Sequence, residues 1–486
     1  MTRLSQAPDD RTVLCVDCED TSHSAPPGVR MGTPTGRAVV AAATLGSGMA
    51  LLDGTVVNVA LRTIGEELDA SLAQLQWITN GYLLSLASLI LLGGSLGDRF
   101  GRRRVFVVGT VWFAAASVLC GLAPDPEVLI LARVLQGIGG ALLTPGSLAM
   151  IQGAFVQEDR APAIGAWSGL GSIAAAIGPF VGGALIDYAS WRWIFLINAP
   201  LAVVTVLIAV RAVPETRDPR ASSHFDVPGA ALAALALGAT TYALIEASWL
   251  AAGLGVVAGF GFVVVESRTR EPMLALGVFR DRTFSASNVM TLLVYGALGA
   301  ISFFVTLQLQ TVTGYGALAA GAAFVPMTVL MLCFAAAGGR LGQRIGPRIP
   351  MTVGPLIMAG GVLLLLRIDD QRDYLLDVLP GVTVFGVGLV LMVAPLTATV
   401  LAAAPDEHAG IASGVNNAVA RAGSLLAVAA LPVAVGLSGE EYADPRSFDA
   451  AFGTAMVACA VLLAVGGAVS WLSIRNSVLD GGPEPH

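Results

Sequence analysis

The sequence predicts an all-α integral membrane protein with fourteen spanning helices, and three observations carry that reading. Of 486 residues, 55% are apolar and only 13% are charged. Apolar stretches of spanning length follow one another from Arg37 to Arg475. The basic residues collect on alternate loops. A soluble fold of this length divides into several domains with polar surfaces and carries roughly 25% charged residues. Too little polar sequence is present to cover them.

The residue types narrow the chemistry. All 27 basic residues are Arg, and the chain has no Lys. That removes a Walker A lysine and Schiff-base or pyridoxal chemistry, so an ATP-driven pump would need a separate ATPase, and no such subunit is expected. His23, His224, His408 and His486 fall in tails or loops, so no metal site or cofactor is expected in the membrane. Cys120, Cys333 and Cys459 lie in apolar stretches, where a thiol behaves as a small hydrophobe. Cys15 and Cys18 form a lone CxxC without the second pair that a zinc site requires. The net charge of −7 and the short Arg clusters give no reason to expect nucleic-acid binding.

A helix needs about 20 apolar residues to cross the hydrocarbon core. Residues 1–36 fail that test, are expected to form a disordered cytoplasmic tail without a secretory signal, and contain Met31 as an alternative start. The first spans are expected at 38–61, 75–97, 105–123, 128–153, 163–186 and 192–212. Two more follow at 227–246 and 248–265. The last six fall at 284–309, 317–338, 350–366, 375–403, 409–437 and 450–474, with Thr313–Gly316 as the turn between the first two of these.

Arg placement checks the count. With both termini in the cytoplasm, twenty Arg fall on inner segments and five (Arg62, Arg192, Arg367, Arg372, Arg446) on outer ones. Arg133 and Arg421 lie within spans. That asymmetry is what the positive-inside rule requires. Heavy Ala, Gly and Arg usage without Lys suggests a GC-rich bacterial source, hence a multi-pass protein of the bacterial plasma membrane.

Two patterns recur at an offset of 245 residues. Gly94-Ser-Leu96-Gly97-Asp98-Arg99-Phe-Gly101-Arg102-Arg103 returns as Gly339-Arg-Leu341-Gly342-Gln343-Arg344-Ile-Gly346-Pro347-Arg348. Gly165, Ser168, Gly169 and Gly178 return as Gly410, Ser413, Gly414 and Gly423. The expected organisation is an N-terminal six-helix bundle (37–215), an inserted two-helix hairpin (224–270), a C-terminal six-helix bundle (280–475) and a cytoplasmic tail (476–486). Transporters built from such repeats hold substrate near the bilayer midplane and rock one half against the other.

The loop after the second span, with Gly94, Asp98, Arg99, Gly101, Arg102 and Arg103, resembles the signature cytoplasmic motif of the major facilitator superfamily. Its glycines suit a tight turn and close helix approach, and Asp98 suits a latch to an Arg or a helix N-terminus across the bundle interface. Arg133-Val-Leu-Gln136-Gly137 in the fourth span is similar to that superfamily's second motif, which implies a part in proton coupling. Gly169, Gly178, Pro179, Gly182 and Gly183 in the fifth span resemble the antiporter motif of its exporters; Gly178 and Gly182 form a GxxxG face, and Pro179 removes a backbone donor. Leu52-Asp53-Gly54-Thr55-Val56-Val57-Asn58 and Trp191-Arg192-Trp193 resemble the fourteen-span drug:proton antiporter family. Arg62 departs from the Pro frequent there, which bears on the external mouth. The resemblance covers about 38–474.

What it implies is a secondary transporter, not an enzyme, that exports amphipathic drugs or antibiotics in exchange for protons, its partners being that small molecule, protons and the lipid bilayer. Export of a lipid, siderophore or other metabolite fits the same motifs; nutrient symport or a non-transport membrane protein fits them less well. Asp53 is the candidate proton site, because a carboxylate inside a span is expected only for function. A carboxyl group in water, near pKa 3.9, is too acidic to carry protons at neutral pH, and removal from water favours its neutral form. One charge crossing ~100 mV is worth about 2.3 kcal/mol, enough for a roughly 40-fold substrate gradient. Glu246, at the outer end of the seventh span, is a second acid to consider. Asn58, Trp77, Tyr82, Trp167, Tyr295, Asn416 and Asn417, with Met392, are candidates for an adaptable pocket, although ordinary packing is the commoner role of such aromatic and Met side chains.

Overall fold

The computed structural model describes residues 28–217, 226–269, 272–274, 276–368, 373–403, 409–437 and 444–476. Among the described residues fourteen long helical segments run in series. The first six are α1 (Pro34–Leu68), α2 (Leu72–Phe100), α3 (Arg102–Gly121), α4 (Pro126–Ala154), α5 (Gln157–Tyr188) and α6 (Trp193–Ala212, interrupted at Ile197). The hairpin is α7 (Val227–Ile245) and α8 (Trp249–Arg268). The rest are α9 (Arg282–Thr311), α10 (Ala317–Ile345), α11 (Arg348–Arg367), α12 (Tyr374–Ala402), α13 (Ala409–Ala434) and α14 (Pro445–Ser473). Among the described residues thirteen helices are long and apolar enough to cross a membrane. The fourteenth, α5, has 32 residues and lies along α1 in the same direction, from Trp167 beside Ser47 to Gly182 against Val56.

Local sequence sets the helix starts. Thr33, Ser71, Asp125, Asp226, Ser248, Asp281 and Asp444 cap N-termini with side-chain oxygens, and Ser71 with Gln74 forms a capping box. Helices α1 to α6 pack on one another, with α4 against α2 and α3, and α5 against α1. Helices α9 to α14 do the same, with α9 against α13 and α14, and α12 against α10 and α11. The α7–α8 hairpin leans by α7 on α2 and α13. The apolar faces left outward, such as Leu250, Val256, Val257 and Phe260 on α8, suit lipid.

The 245-residue repeat reappears in the backbone. Gly101 and Gly346 both have positive φ, 113° and 80°, a conformation only glycine adopts without strain. Two residues on, the Arg103 amide donates to Glu215 Oε1 (3.1 Å) and the Arg348 amide to Asn476 Oδ1 (3.2 Å). Each half thus closes the turn after its second helix with an acceptor that follows its sixth.

The N-terminal segment differs from expectation. Its last nine residues are ordered: Val29 bridges Phe155, the Met31 amide donates to Asp159 Oδ2 (2.9 Å), and α1 starts at Pro34. A short extended pairing satisfies backbone groups that composition alone assigns to solvent. Residues 1–27, with Cys15 and Cys18, lie outside the described residues, as do 477–486.

Candidate functional site: a buried ion pair behind a central cavity

The two halves meet at the face opposite the start of α1, here called the far face. Arg62 of α1 donates to the Gln310 carbonyl of α9, and Gln310 Nε2 returns a bond to the Val59 carbonyl (2.8 Å). Asp187, ending α5, accepts from the Ala317 and Leu318 amides at the start of α10 (3.0 and 2.9 Å). Gln76 Nε2 of α2 donates to the Val428 carbonyl of α13 (2.7 Å). Arg62, the departure from the family pattern, is thus a bolt of this seam.

Toward the near face α5 and α10 part, while α2 and α13 stay in contact as far as Leu91 beside Gly414. Helix α5 meets α10 through Pro179, Gly183 and Asp187, in its last third, and little of α10 is buried. Between the halves lies a cavity of about 380 Å³ lined from α1 (Leu51, Gly54, Asn58), α2 (Thr79, Tyr82), α9 (Tyr295, Ser302) and α13 (Asn416, Asn417, Arg421). Its near-face rim, at Leu401 and Asn417, is exposed. The molecule is closed at the far face and open at the near one.

Asp53 and Arg133 form an ion pair behind the cavity wall. Arg133 Nη1 lies 2.5 Å from Asp53 Oδ2, and each residue is 1% exposed. Gln136, one turn on from Arg133, accepts from Arg133 Nη1 (2.6 Å) and donates to Asp53 Oδ1 (2.8 Å) and Ser117 Oγ (3.2 Å). Ser117 also accepts from Asn198 of α6 (3.0 Å). Arg133 Nε donates to the Ile78 carbonyl (3.0 Å), and the guanidinium lies 4.4 Å from the Tyr82 ring centre and 5.7 Å from that of Phe195. Five helices of the first half therefore converge on one buried charge pair. Breaking such a pair by removing one partner costs about 3–5 kcal/mol.

The antiporter-like segment is the packing surface behind that pair. A Cβ on Gly178 would meet Thr55 Oγ1 at 2.5 Å, and one on Gly182 would meet Val56 Cγ1 at 2.7 Å, so both glycines press on the turn of α1 next to Asp53. On Gly183 it would meet Leu318 Cα at 2.4 Å, and the Pro179 carbonyl abuts Gly321, so these two form the far-face seam. Gly169 has no neighbour within 4 Å and takes no part in close packing.

The signature loop differs from expectation in two ways. Asp98 does not reach across the interface; it pairs with Arg102 of the same loop (2.9 Å), one helical turn away. Arg103 and Arg104 approach Glu215 of the same half at 3.5 and 3.8 Å, and Arg99 lies over the Phe100 ring. Among the described residues the ion pair of Asp98 is with Arg102 alone. The close helix approach belongs to Gly93, whose Cβ would fall 2.0 Å from the Ala141 carbonyl, while Gly94 leaves 3.8 Å to Pro145.

Of the pocket candidates, Asn58, Tyr82, Tyr295, Asn416 and Asn417 line the cavity. Trp77 does not: two residues before Thr79 it points to the opposite side of α2 and packs on Tyr242 of the hairpin. Trp167 is held on α1 through Ser47 (2.8 Å), and Met392 is buried among core side chains. Glu246 caps the end of α7 and is exposed, so a solvated helix end accounts for it. The hairpin's buried acids are instead Glu266, 3% exposed, at the other end of α8, and Asp226, 8% exposed, the N-cap of α7. Glu266 Oε2 accepts from the Leu274 amide (3.0 Å), while Oε1 has no partner and shares the space over Gly229 with Asp226 Oδ2. Gln76, Asp187, Gln310, Glu266 and Asp226 stand near span ends, where sequence cannot separate them from solvated caps. Gln136 did carry a signal: one turn from an Arg within a span, it shares the Arg's face.

A family model described as Major Facilitator Superfamily matches residues 43–428. The chain belongs to the major facilitator superfamily. It is 35% identical over 404 residues to the tetracenomycin C resistance and export protein of Streptomyces glaucescens, covering 81% of this chain and 74% of that one. It is 37% identical to the probable actinorhodin transporter of Streptomyces coelicolor (79% and 69% covered) and 34% identical to the multidrug resistance protein Stp of Mycobacterium tuberculosis (80% and 73% covered). Among solved structures, an inward-facing bacterial homologue of the lysosomal transporter Spinster superposes with TM-score 0.65 at 18% identity, covering 90% of this chain and 97% of that one. A D-xylose-proton symporter does so with TM-score 0.65 at 15% identity (91% and 98% covered). At such identities the likeness is one of fold. The chain is thus a multi-span membrane transporter, and the relatives named are an antibiotic resistance and export protein, a probable antibiotic transporter and a multidrug resistance protein.

Proposed function

We propose that this transporter exports an amphipathic drug or antibiotic from the cytoplasm in exchange for protons, by alternating access, with Asp53 as the proton site. The tetracenomycin C resistance and export protein supports the direction, and the antibiotic and multidrug relatives together support the substrate type. The one-sided Arg distribution supports a cytoplasmic near face, which makes the shape described above inward-open. The observation that carries the reading is the buried Asp53–Arg133 pair at the cavity wall.

A proton on Asp53 and the ion pair to Arg133 are alternatives, since the proton removes the charge that holds the guanidinium. Arg133 keeps other partners when that happens: the Ile78 carbonyl, Gln136 Oε1 and the faces of Tyr82 and Phe195. The exchange between the two arrangements therefore leaves no bare cation. It does loosen α1 from α4. In the proposed cycle the proton arrives from outside when the far face is open, and leaves inward in the state described here.

The test is uptake into everted vesicles, with a panel of antibiotics, lipids and siderophores, with and without an imposed proton gradient. Gradient-driven uptake of an antibiotic that collapses with an uncoupler is expected. Accumulation unaffected by the gradient sinks proton coupling, and uptake confined to lipids or siderophores moves the substrate to that class.

A further inference from the structure

Among the described residues the cavity lining holds two guanidinium groups, Arg133 and Arg421, and no carboxylate. Arg133 is neutralised from behind by Asp53. Arg421 is not: among the described residues no ion pair or hydrogen bond engages it. It sits in α13 with Asn417 one turn before and Ser424 one turn after, and all three line the cavity. The phenols of Tyr82 and Tyr295 lie within its electrostatic reach. At the repeat offset the first half has Ala176, so the charge is no part of the duplicated scaffold. A charged side chain within a span is costly and faces a partner or a pathway; this one faces the pathway, without a partner.

We infer that the transported solute is an amphipathic anion, a carboxylate or acidic phenol on an aromatic body, whose charged group is held by Arg421 between Asn417 and Ser424. This rests on the export reading and adds the charge of the solute. A guanidinium presents a planar fork of donors that matches a carboxylate in two parallel hydrogen bonds. Asn417 adds a neutral donor on the same face, while the Ser424 hydroxyl donates to the Tyr295 carbonyl (2.8 Å) and bounds the site. The apolar body has Leu51, Leu83, Leu298 and Val400 to lie against. Proton and anion use different groups, because Asp53 does not line the cavity. Their exchange is then enforced by the alternation of the halves, not by displacement at one site. One anion leaving for one proton entering moves two positive charges inward, against none for a singly charged cation.

Three matched probes test it on the purified full-length protein: 2-naphthylacetate, its primary amide and 2-naphthylethylamine. Binding is measured by calorimetry, and transport in proteoliposomes. The wild-type protein is expected to bind the acid at least about tenfold more tightly than the amide, which is about 1.4 kcal/mol, and the amine most weakly. In Arg421→Gln the acid falls to the level of the amide, while unchanged amide binding reports an intact fold. In Arg421→Lys part of the preference returns. An amine bound as tightly as the acid overturns the inference, as does a preference that survives Arg421→Gln, or no probe bound by folded wild-type protein. The export reading fails differently: the acid binds with the expected preference, yet no probe crosses under a proton gradient or a membrane potential.

Discussion

Asp53→Asn separates the two tasks assigned to the buried pair, holding α1 to α4 and carrying the proton. The substitution keeps the shape and one acceptor oxygen but removes the charge that faces Arg133 at 2.5 Å. With charge centres about 4 Å apart and an effective dielectric near 20, the lost attraction is about 4 kcal/mol. That agrees with the roughly 3–5 kcal/mol cost of leaving one member of a buried pair uncompensated. Gln136 and the Ile78 carbonyl still accept from Arg133, so a cost of about 3 kcal/mol is expected. Arg133→Gln should cost about as much. The double variant Asp53→Asn/Arg133→Gln, with no charge left to bury, should recover at least about 2 kcal/mol of the combined loss. Denaturant unfolding in detergent micelles measures stability. Proteoliposomes separate counterflow from accumulation: Asp53→Asn should retain counterflow and lose gradient-driven accumulation at least about tenfold. The double variant should regain stability without regaining accumulation. Additive stability losses would refute the pair as a coupled unit, and wild-type accumulation by Asp53→Asn would remove it from proton transfer.

Three further outcomes follow from the packing. Gly183→Ala places a methyl group 2.4 Å from Leu318 Cα at the far-face seam and should favour the outward-open shape; faster labelling of Asn58→Cys by an impermeant maleimide from outside checks it, with Gly169→Ala, which has room, as the unaffected control. Gly101→Ala forces φ +113° on a residue with a Cβ and drives that Cβ to 2.6 Å from Glu215 Oε1; a loss of about 1–3 kcal/mol is expected, read by the same unfolding assay, while Gly277→Ala, with nothing within 4 Å, should be near neutral. Glu266→Gln supplies an N–H donor where Oε1 now faces Asp226 without a partner and should leave thermal stability at or above wild type. Glu266→Ala loses the anchor to the Leu274 amide and should lose about 1–3 kcal/mol.

The sequence made the spans legible because apolar length and Arg asymmetry are set by the bilayer, not by partners. The duplication was legible because its glycines are tied to backbone shape: Gly101 and Gly346 recur since each turn needs positive φ. Asp53 and Arg133 were each conspicuous as charges inside spans, but their meeting depends on how α1 crosses α4, which no local pattern encodes. Trp77 shows the converse failure. An aromatic residue in a span is easily taken for pocket lining, and only the rotation of α2 against the hairpin decides that it faces Tyr242. The seam residues Gln76, Asp187 and Gln310 were hidden for another reason: near span ends, a polar side chain that bolts two halves reads the same as one that meets water. Arg421 was visible as a charge, and what gives it meaning, a cavity wall without an acid, exists only once the helices are assembled.

The proton site and the far-face seam share one lever. Leu52, Thr55 and Val56 flank Asp53 on α1 and are the same residues on which Gly178 and Gly182 of α5 close. One residue past Gly182, Gly183 touches α10 across the seam, and a turn further on Asp187 caps it. Further along α1, Val59 and Arg62 bond Gln310 of α9. At Gly178 and Gly182 the α5 backbone lies directly against the short Thr55 and Val56 side chains, so a shift of α1 on loss of the Asp53–Arg133 pair has nothing soft to absorb it. In close-packed interiors such displacements are passed on as discrete rearrangements. On the proposed cycle, protonation of Asp53 therefore acts on the outer closure through rigid contact, and the exporter-like glycines are there to make that contact stiff. Bulk added at Gly182, as in Gly182→Leu, should then uncouple proton and solute flux even where the ion pair itself is intact.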